Sequence, residues 1–302
     1  MFVKECTSSD GTLIYADASG HPQNPSIVFV HGFAVSGIIY DKLFRDQRLL
    51  ENFYLVRYDM RGYGRSGKPK DAASYSSALF AADFAVVVKE FGLTKPVFVG
   101  WSAGGKVFFG RQDLELITSP APVIADICAH ITPCPLAGAI GLSGAICPAT
   151  ADKTLHPLLV SFIKDFVSPD ATTALNVRPA FIEALFSDPS SVPTEFKLAL
   201  IGAGISCTPD IIAAILTGHQ PGQCQDALTE LGKQGFPVMA LYGTEDVIQS
   251  GEVAVAESKK YFTDFTDAPI KGSGHTPFYE DVDATVDYIL PFCLRVHGQQ
   301  MN

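Results

Sequence analysis

Basic residues are in short supply in this 302-residue chain: 22 Lys and Arg stand against 32 Asp and Glu, a formal charge of −10. An acidic surface repels a phosphate backbone, so nucleic acid is not an expected partner. Charge of either sign is sparse, at 18% of residues, while 47% are hydrophobic. That balance excludes a disordered or collagen-like chain and suits one large α/β domain or two small ones around a sizeable core. An unbroken apolar run of membrane-spanning length is also missing. Residues 121–149 hold only Asp126 and His130 as ionisable groups, but Pro122, Pro133, Pro135 and Pro148 break them. Residues 198–217 carry one charge, Asp210, and are interrupted by Gly202, Gly204 and Pro209. Both stretches read as buried or cap segments, so no membrane span is expected. The seven cysteines form no C-x-x-C pair and no Cys/His metal spacing. Free, mostly buried thiols and no bound metal follow. The opening MFVKECTSSDG has no apolar run behind a basic head. No secretory leader is therefore expected, and a reducing, cytoplasmic setting is.

No internal repeat, charge block or low-complexity tract punctuates the chain. Short apolar runs separated by turns open it, at Phe2-Val3 and Leu13-Ile14-Tyr15. Ser26–Val30, Tyr54–Tyr58 and Pro96–Val99 are continuous apolar stretches, the pattern of strands buried on both faces. Phe80, Phe84, Val87, Val88 and Phe91 share one helical face, and Gly92 stops that helix. Ala137–Leu142 reads as a further core strand. Late in the chain, Pro237–Tyr242 predicts a strand, Val253–Phe262 a helix, Ala268–Ile270 a short strand, and Val282 to Cys293 a closing helix. Alternating strands and helices at this spacing argue for a parallel sheet covered on both faces. Between about Cys147 and Gly235 the pattern is helical with Pro and Gly breaks, which reads as a helical insertion over one edge of the sheet.

Gly100-Trp101-Ser102-Ala103-Gly104 fits G-x-S-x-G directly after the strand ending at Val99. A side chain on a very sharp strand-to-helix turn is pushed clear of the backbone, while its neighbours two residues away are crowded and must be small. Gly100 and Gly104 meet that demand and present Ser102 at the carboxyl end of the sheet, where such sheets bind ligands. A serine hydroxyl needs a base to act as a nucleophile. Of seven histidines, only His275 sits in a Gly-rich loop after a predicted terminal strand. A third group must orient the imidazole. Asp246, at the tip of the strand before, is the favoured acid, with Glu245 as its competitor. The chain order is nucleophile, acid, base: Ser102, Asp246, His275.

With these residues in place, the sequence resembles the α/β-hydrolase superfamily, whose elbow and triad follow this order. Two further segments match, His31-Gly32-Phe33 after the third strand and Asp59-Met60-Arg61-Gly62-Tyr63-Gly64-Arg65-Ser66 after the fourth. The resemblance covers residues 1–105 and about 236–296. It implies a mostly parallel eight-stranded sheet with helices on both faces and a helical cap. The core then comprises 1–146 and 236–302, with the cap at 147–235. The resemblance also implies an oxyanion hole formed by the backbone N–H groups of Phe33 and Ala103, and a structural role for His31. Gly62–Gly67 also satisfies G-x-G-x-x-G, but Lys68-Pro69-Lys70 follow where a dinucleotide site needs a helix, so no cofactor is expected. One stretch departs from the pattern. Residues 106–122 read either as an insertion at the base of the nucleophile helix or as a native helix–loop–helix.

The cap sets the substrate. Its apolar positions Leu158, Phe162, Phe181, Leu185, Phe186, Ile211 and Ile215, with Trp101 beside the nucleophile, are the candidate substrate contacts. No Lys or Arg cluster is placed to grip a carboxylate or phosphate. The expectation is a carboxylic-ester hydrolase for small to medium apolar esters, acting through an acyl-enzyme. Lactonase, amidase, carbon–carbon hydrolase and perhydrolase chemistry suit the same triad. A slow-turnover small-molecule receptor on a hydrolase scaffold is the alternative of another class.

Overall fold

The computed structural model of the protein describes residues 2–102, 123–147, 151–219 and 221–298. Residues 106–122 and Ala103 lie outside them. Eight strands form one sheet: β1 (Phe2–Thr7), β2 (Leu13–Ser19), β3 (Ser26–Val30), β4 (Tyr54–Tyr58), β5 (Val97–Trp101), β6 (Gly138–Leu142), β7 (Val238–Gly243) and β8 (Phe265–Ile270). Their order is β1-β2-β4-β3-β5-β6-β7-β8, with the first two pairings antiparallel and the rest parallel. The strands β3, β4, β5, β6 and β7 are buried along their whole lengths, as their largely apolar sequences require, and the one charge among them, Arg57 of β4, is paired with Asp17 at 2.8 Å and Asp41 at 2.7 Å. Registers of Val30 with Gly100, Trp101 with Leu142, and Gly243 with Ile270 bring the carboxyl ends to one edge. The segments beginning at His31, Ser102, Thr244 and Lys271 all emerge there.

The α-helices among the described residues are α1 (Gln47–Asn52), α2 (Ser77–Phe91), α3 (Val123–His130), α4 (Ala151–Thr154), α5 (Pro157–Phe166), α6 (Ala171–Ala184), α7 (Thr194–Ile205), α8 (Pro209–Gly218), α9 (Gln225–Lys233), α10 (Gly251–Ser258), α11 (Pro277–Glu280) and α12 (Val282–Val296), with short 3-10 turns between some of them. In α2 the predicted face is buried at Phe80, Phe84, Val87 and Phe91, while Val88 is half-buried. Gly92 ends the helix in the left-handed conformation, with φ at 67°, while Leu93 N–H bonds back to Val88 O. Asp83 lies on the same buried face and is bidentate to Arg61 at 2.7 Å, so the charge is matched rather than stranded. Helices α4 to α9 fill the interval between β6 and β7, and an isolated antiparallel bridge joins Leu155 to Gln249. One hydrophobic cluster contains both residues of α5, α6 and α8, such as Leu159, Phe181 and Ile212, and sheet residues such as Val28 and Leu241.

Two late elements differ from the sequence expectation. The helix expected over Val253–Phe262 runs instead over Gly251–Ser258. Ser250 caps it by accepting from Val253 N–H, and the N–H groups of Tyr261 and Phe262 both turn back to Ser258 O. The strand expected at Ala268–Ile270 begins at Phe265 and includes Pro269. Proline is tolerated because β8 is an edge strand, paired only to β7. All seven cysteines are free, and only Cys134 is not fully buried. Among the described residues no single helix is long and apolar enough to cross a membrane. The pair α7 and α8 reaches that length and composition only across a 72° bend.

Candidate active site

The end of β5 turns so sharply that Ser102 takes φ of +66°, a left-handed angle that a side chain other than glycine adopts at a cost. Its N–H still bonds to Leu142 O at 2.8 Å, which fixes the turn to the neighbouring strand. The loop after β3 presses against it. A Cβ at Gly32 would lie 2.9 Å from the Trp101 ring and 3.1 Å from Ser102 Cβ, so no larger residue fits. That loop is held from below by His31, which is fully buried. His31 Nδ1–H donates to Gly32 O at 2.8 Å, and Met60 N–H donates to His31 Nε2 at 3.0 Å. Burial lowers the His31 pKa, so the ring is neutral and serves as a spacer. Asp59 continues the support, accepting from Gly37 N–H at 2.8 Å and Arg65 N–H at 2.9 Å. Residues 61–70 form a loop, not the opening of a helix.

His275 leaves β8 on the loop 271–276 and is 1% exposed. Its Nε2 is 2.9 Å from Ser102 Oγ, and its Nδ1 is 2.7 Å from Asp246 Oδ2. The second oxygen of Asp246 accepts from the N–H groups of Ile248 at 2.8 Å and Gln249 at 3.0 Å, which fixes the carboxylate's orientation. Glu245 contacts Thr244 Oγ1 at 3.4 Å and is not among the imidazole's partners. The histidine loop lies flush on the tip of β7, because a Cβ at Gly243 would come within 2.2 Å of Ser273 O. Trp101 Nε1–H donates to His275 O at 2.8 Å, so the residue beside the serine also holds the backbone of the base. A hydroxyl bonded to an imidazole, itself bonded to a carboxylate, is a path along which the hydroxyl proton can leave.

An apolar pocket opens on this group, lined by Phe33, Trp101, Ser102, Leu159, Ile163, Phe181, Leu185, Ile248 and His275. Of the expected contacts, Trp101, Phe181 and Leu185 line it. Phe162, Phe186, Ile211 and Ile215 do not, and Phe186 packs edge-on against Tyr279 at 5.5 Å instead. Phe162 packs edge-on to Phe181 at 5.7 Å, and Ile215 sits where a Cβ at Gly62 would meet its Cδ1 at 2.6 Å. Leu158 is 39% exposed. Leu159, Ile163 and Ile248 take their places. The spacing of Leu159 and Ile163, four residues apart on α5, was the available signal; Ile248 follows Asp246 by two residues and carries no signal of its own. Phe33 N–H has no hydrogen-bond partner among the described residues. No group of three or more His, Cys, Asp or Glu residues among them could hold a metal ion.

Residues 27–288 match the model of a family described as the alpha/beta hydrolase family. A 92-residue stretch is 42% identical to "Probable oxidoreductase EphD" of Mycobacterium tuberculosis, covering 30% of this chain. It spans only 15% of the length of that relative. Among solved structures, a presumptive aryl esterase from Burkholderia cenocepacia superposes with a TM-score of 0.82 at 25% identity, covering 98% of this chain and 100% of the other. The esterase RhEst1 from Rhodococcus sp. ECU1013 gives 0.78 at 25% identity over 98% and 100%.

Proposed function

The chain belongs to the alpha/beta hydrolase family, and from that premise we propose that it is a serine hydrolase cleaving small to medium apolar carboxylic esters. The observation that carries this reading is the continuous hydrogen-bonded path from Ser102 Oγ through His275 to Asp246, at 2.9 and 2.7 Å. Ser102 attacks the ester carbonyl while His275 Nε2 takes its proton. Asp246 keeps the Nδ1 proton in place and stabilises the imidazolium. His275 returns the proton to the departing alcohol. It then activates water against the acyl-enzyme, and the acid leaves. The developing oxyanion accepts from Phe33 N–H, which has no partner among the described residues, and from Ala103 N–H.

Residues 147–235 act as the cap and 1–146 with 236–302 as the core, an assignment supported by the run of helices between β6 and β7. The pocket's apolar lining supports an apolar acyl or alcohol group, and the esterase neighbours support the ester class. The test is a panel of short-chain aryl esters, lactones and amides with wild type and Ser102→Ala. Ester turnover should fall by about 10⁴- to 10⁶-fold in the variant, together with loss of fluorophosphonate labelling at Ser102. Tight ligand binding with negligible turnover by the wild type would favour the receptor reading instead.

A further inference from the structure

Glu280, half-buried in the last turn of α11, makes no contact with Ser102 or His275, yet it grips both residues flanking the histidine. Its Oε1 accepts from Gly274 N–H at 3.0 Å and Thr276 Oγ1–H at 3.1 Å. Its Oε2 accepts from Ser187 N–H at 2.8 Å and Ser187 Oγ–H at 2.6 Å, and Ser187 lies just beyond α6. Approach between the two segments is close, since a Cβ at Gly274 would lie 2.6 Å from Ser187 N. Thr276 Oγ1 also reaches Leu185 O at 3.1 Å, and Leu185 lines the pocket. One carboxylate therefore joins the loop carrying the base to the segment that walls the pocket.

We propose that Glu280 is a positioning residue for His275, a strut that makes the placement of the base depend on the seating of residues 185–187. This rests on the hydrolase reading above. Gly274 N–H relies on one of its oxygens and Ser187 N–H on the other, so an amide in its place turns an N–H₂ toward one of them. Glu280→Gln should lower kcat by about 10- to 100-fold with KM changed less than twofold. The rate of fluorophosphonate labelling at Ser102 should fall in parallel. Ser187→Ala, which removes one donor from the surface, should show a smaller loss of the same kind, and Glu280→Asp, which keeps the carboxylate, should lose less kcat than Glu280→Ala. Wild-type kcat and labelling rate in both Glu280→Gln and Ser187→Ala would overturn the proposal. Absence of labelling in the wild type would instead count against the hydrolase reading itself.

A separate observation concerns thiols. Cys128, buried in α3, and Cys134, half-buried in the segment leading to β6, have their sulfurs 3.7 Å apart. The other five thiols are buried. We infer that Cys128 and Cys134 form a reversible disulfide when a small dialkyl disulfide is present. Contact with the Cys128 thiol lowers the Cys134 pKa to about 7, helped by the Leu136 N–H and the charge of Lys95 against the effect of burial. Cys134 thiolate attacks one sulfur of the reagent and expels a thiolate. Cys128 then loses its proton and attacks Cys134 Sγ, expelling the second reagent sulfur as a thiol. Two electrons pass to the reagent, two small thiols leave, and the last turn of α3 is tied to the approach to β6.

Incubation with oxidised glutathione followed by peptide mass mapping tests this. A 128–134 cross-linked peptide should appear and vanish with reductant. Cys134→Ser should remove it, and Cys128→Ala should leave a mixed disulfide on Cys134. A fully reduced pair after prolonged incubation, or cross-linking of Cys134 to any other cysteine, would overturn the inference.

Discussion

Ser102 and its neighbours show how little freedom a reactive side chain is given. The serine holds a left-handed backbone angle, Gly32 presses against it, and the ring of Trp101 fills the space behind while its N–H holds the backbone of His275. Strain of about 1–3 kcal/mol persists at such a position only because the surroundings over-determine it. Two adjacent acids at the tip of β7 differ only in direction. Asp246 meets the imidazole and Glu245 does not. Asp246→Asn should therefore lower kcat by about 10⁴-fold, whereas Glu245→Gln should leave it within a factor of about two, measured side by side on one aryl ester. A comparable loss from Glu245→Gln would reassign the acid.

At the scale of elements, the parallel strands supply the fixed edge and the segments between them supply chemistry. Helix α5 offers Leu159 and Ile163 to the pocket, on the same face and one turn apart. Leu159→Ala should cost about 2–4 kcal/mol of stability, because the side chain is 4% exposed. It should also shift preference toward longer acyl chains, read as kcat/KM across an ester length series. The loop after β4 is anchored differently, by charge. Arg61, fully buried, holds Asp83 at 2.7 Å and Asp10 at 2.9 Å. Burial acts to raise the Asp10 pKa, but hydrogen bonds from Arg61 and Thr12 N–H outweigh it and bring the carboxyl down to about 2. A carboxyl lowered from 3.8 contributes stability above that value and loses it as pH falls toward 2. Asp10→Asn should accordingly destabilise at pH 7 in urea unfolding, by less than the shift alone implies because Asp10 is exposed and its ion pair is screened by solvent. The gap between variant and wild type should shrink between pH 5 and pH 2 (roughly the window spanned by the two pKa values).

Across the whole molecule, helices α5 to α9 share one hydrophobic cluster with the sheet, so neither part buries its apolar surface alone. Unfolding should then be a single cooperative transition. The chain contains one tryptophan, Trp101, set between the pocket and the sheet. Its fluorescence and the far-ultraviolet circular dichroism should therefore share one denaturation midpoint. A helical signal lost well before the tryptophan signal would mean that helices α5 to α9 fold as a separate unit.

The strands were legible residue by residue, because a continuous apolar run such as Ile27–Val30 or Val97–Val99 has few alternatives to a doubly covered strand. The same holds for α2 and its glycine stop, which are local. The elbow, the histidine loop and the acidic strand tip were also readable, since small residues and breakers announce sharp turns before any contact is made. What the chain order could not supply was which neighbour wins. Phe162 and Leu159, or Glu245 and Asp246, are chemically alike in sequence and separated only by where the backbone aims them. Likewise Glu280 and Ser187, 93 positions apart, acquire their roles only when α11 meets the segment after α6. Local sterics are written in neighbouring residues. Contacts between distant segments depend on packing the whole core, and only the folded chain decides them.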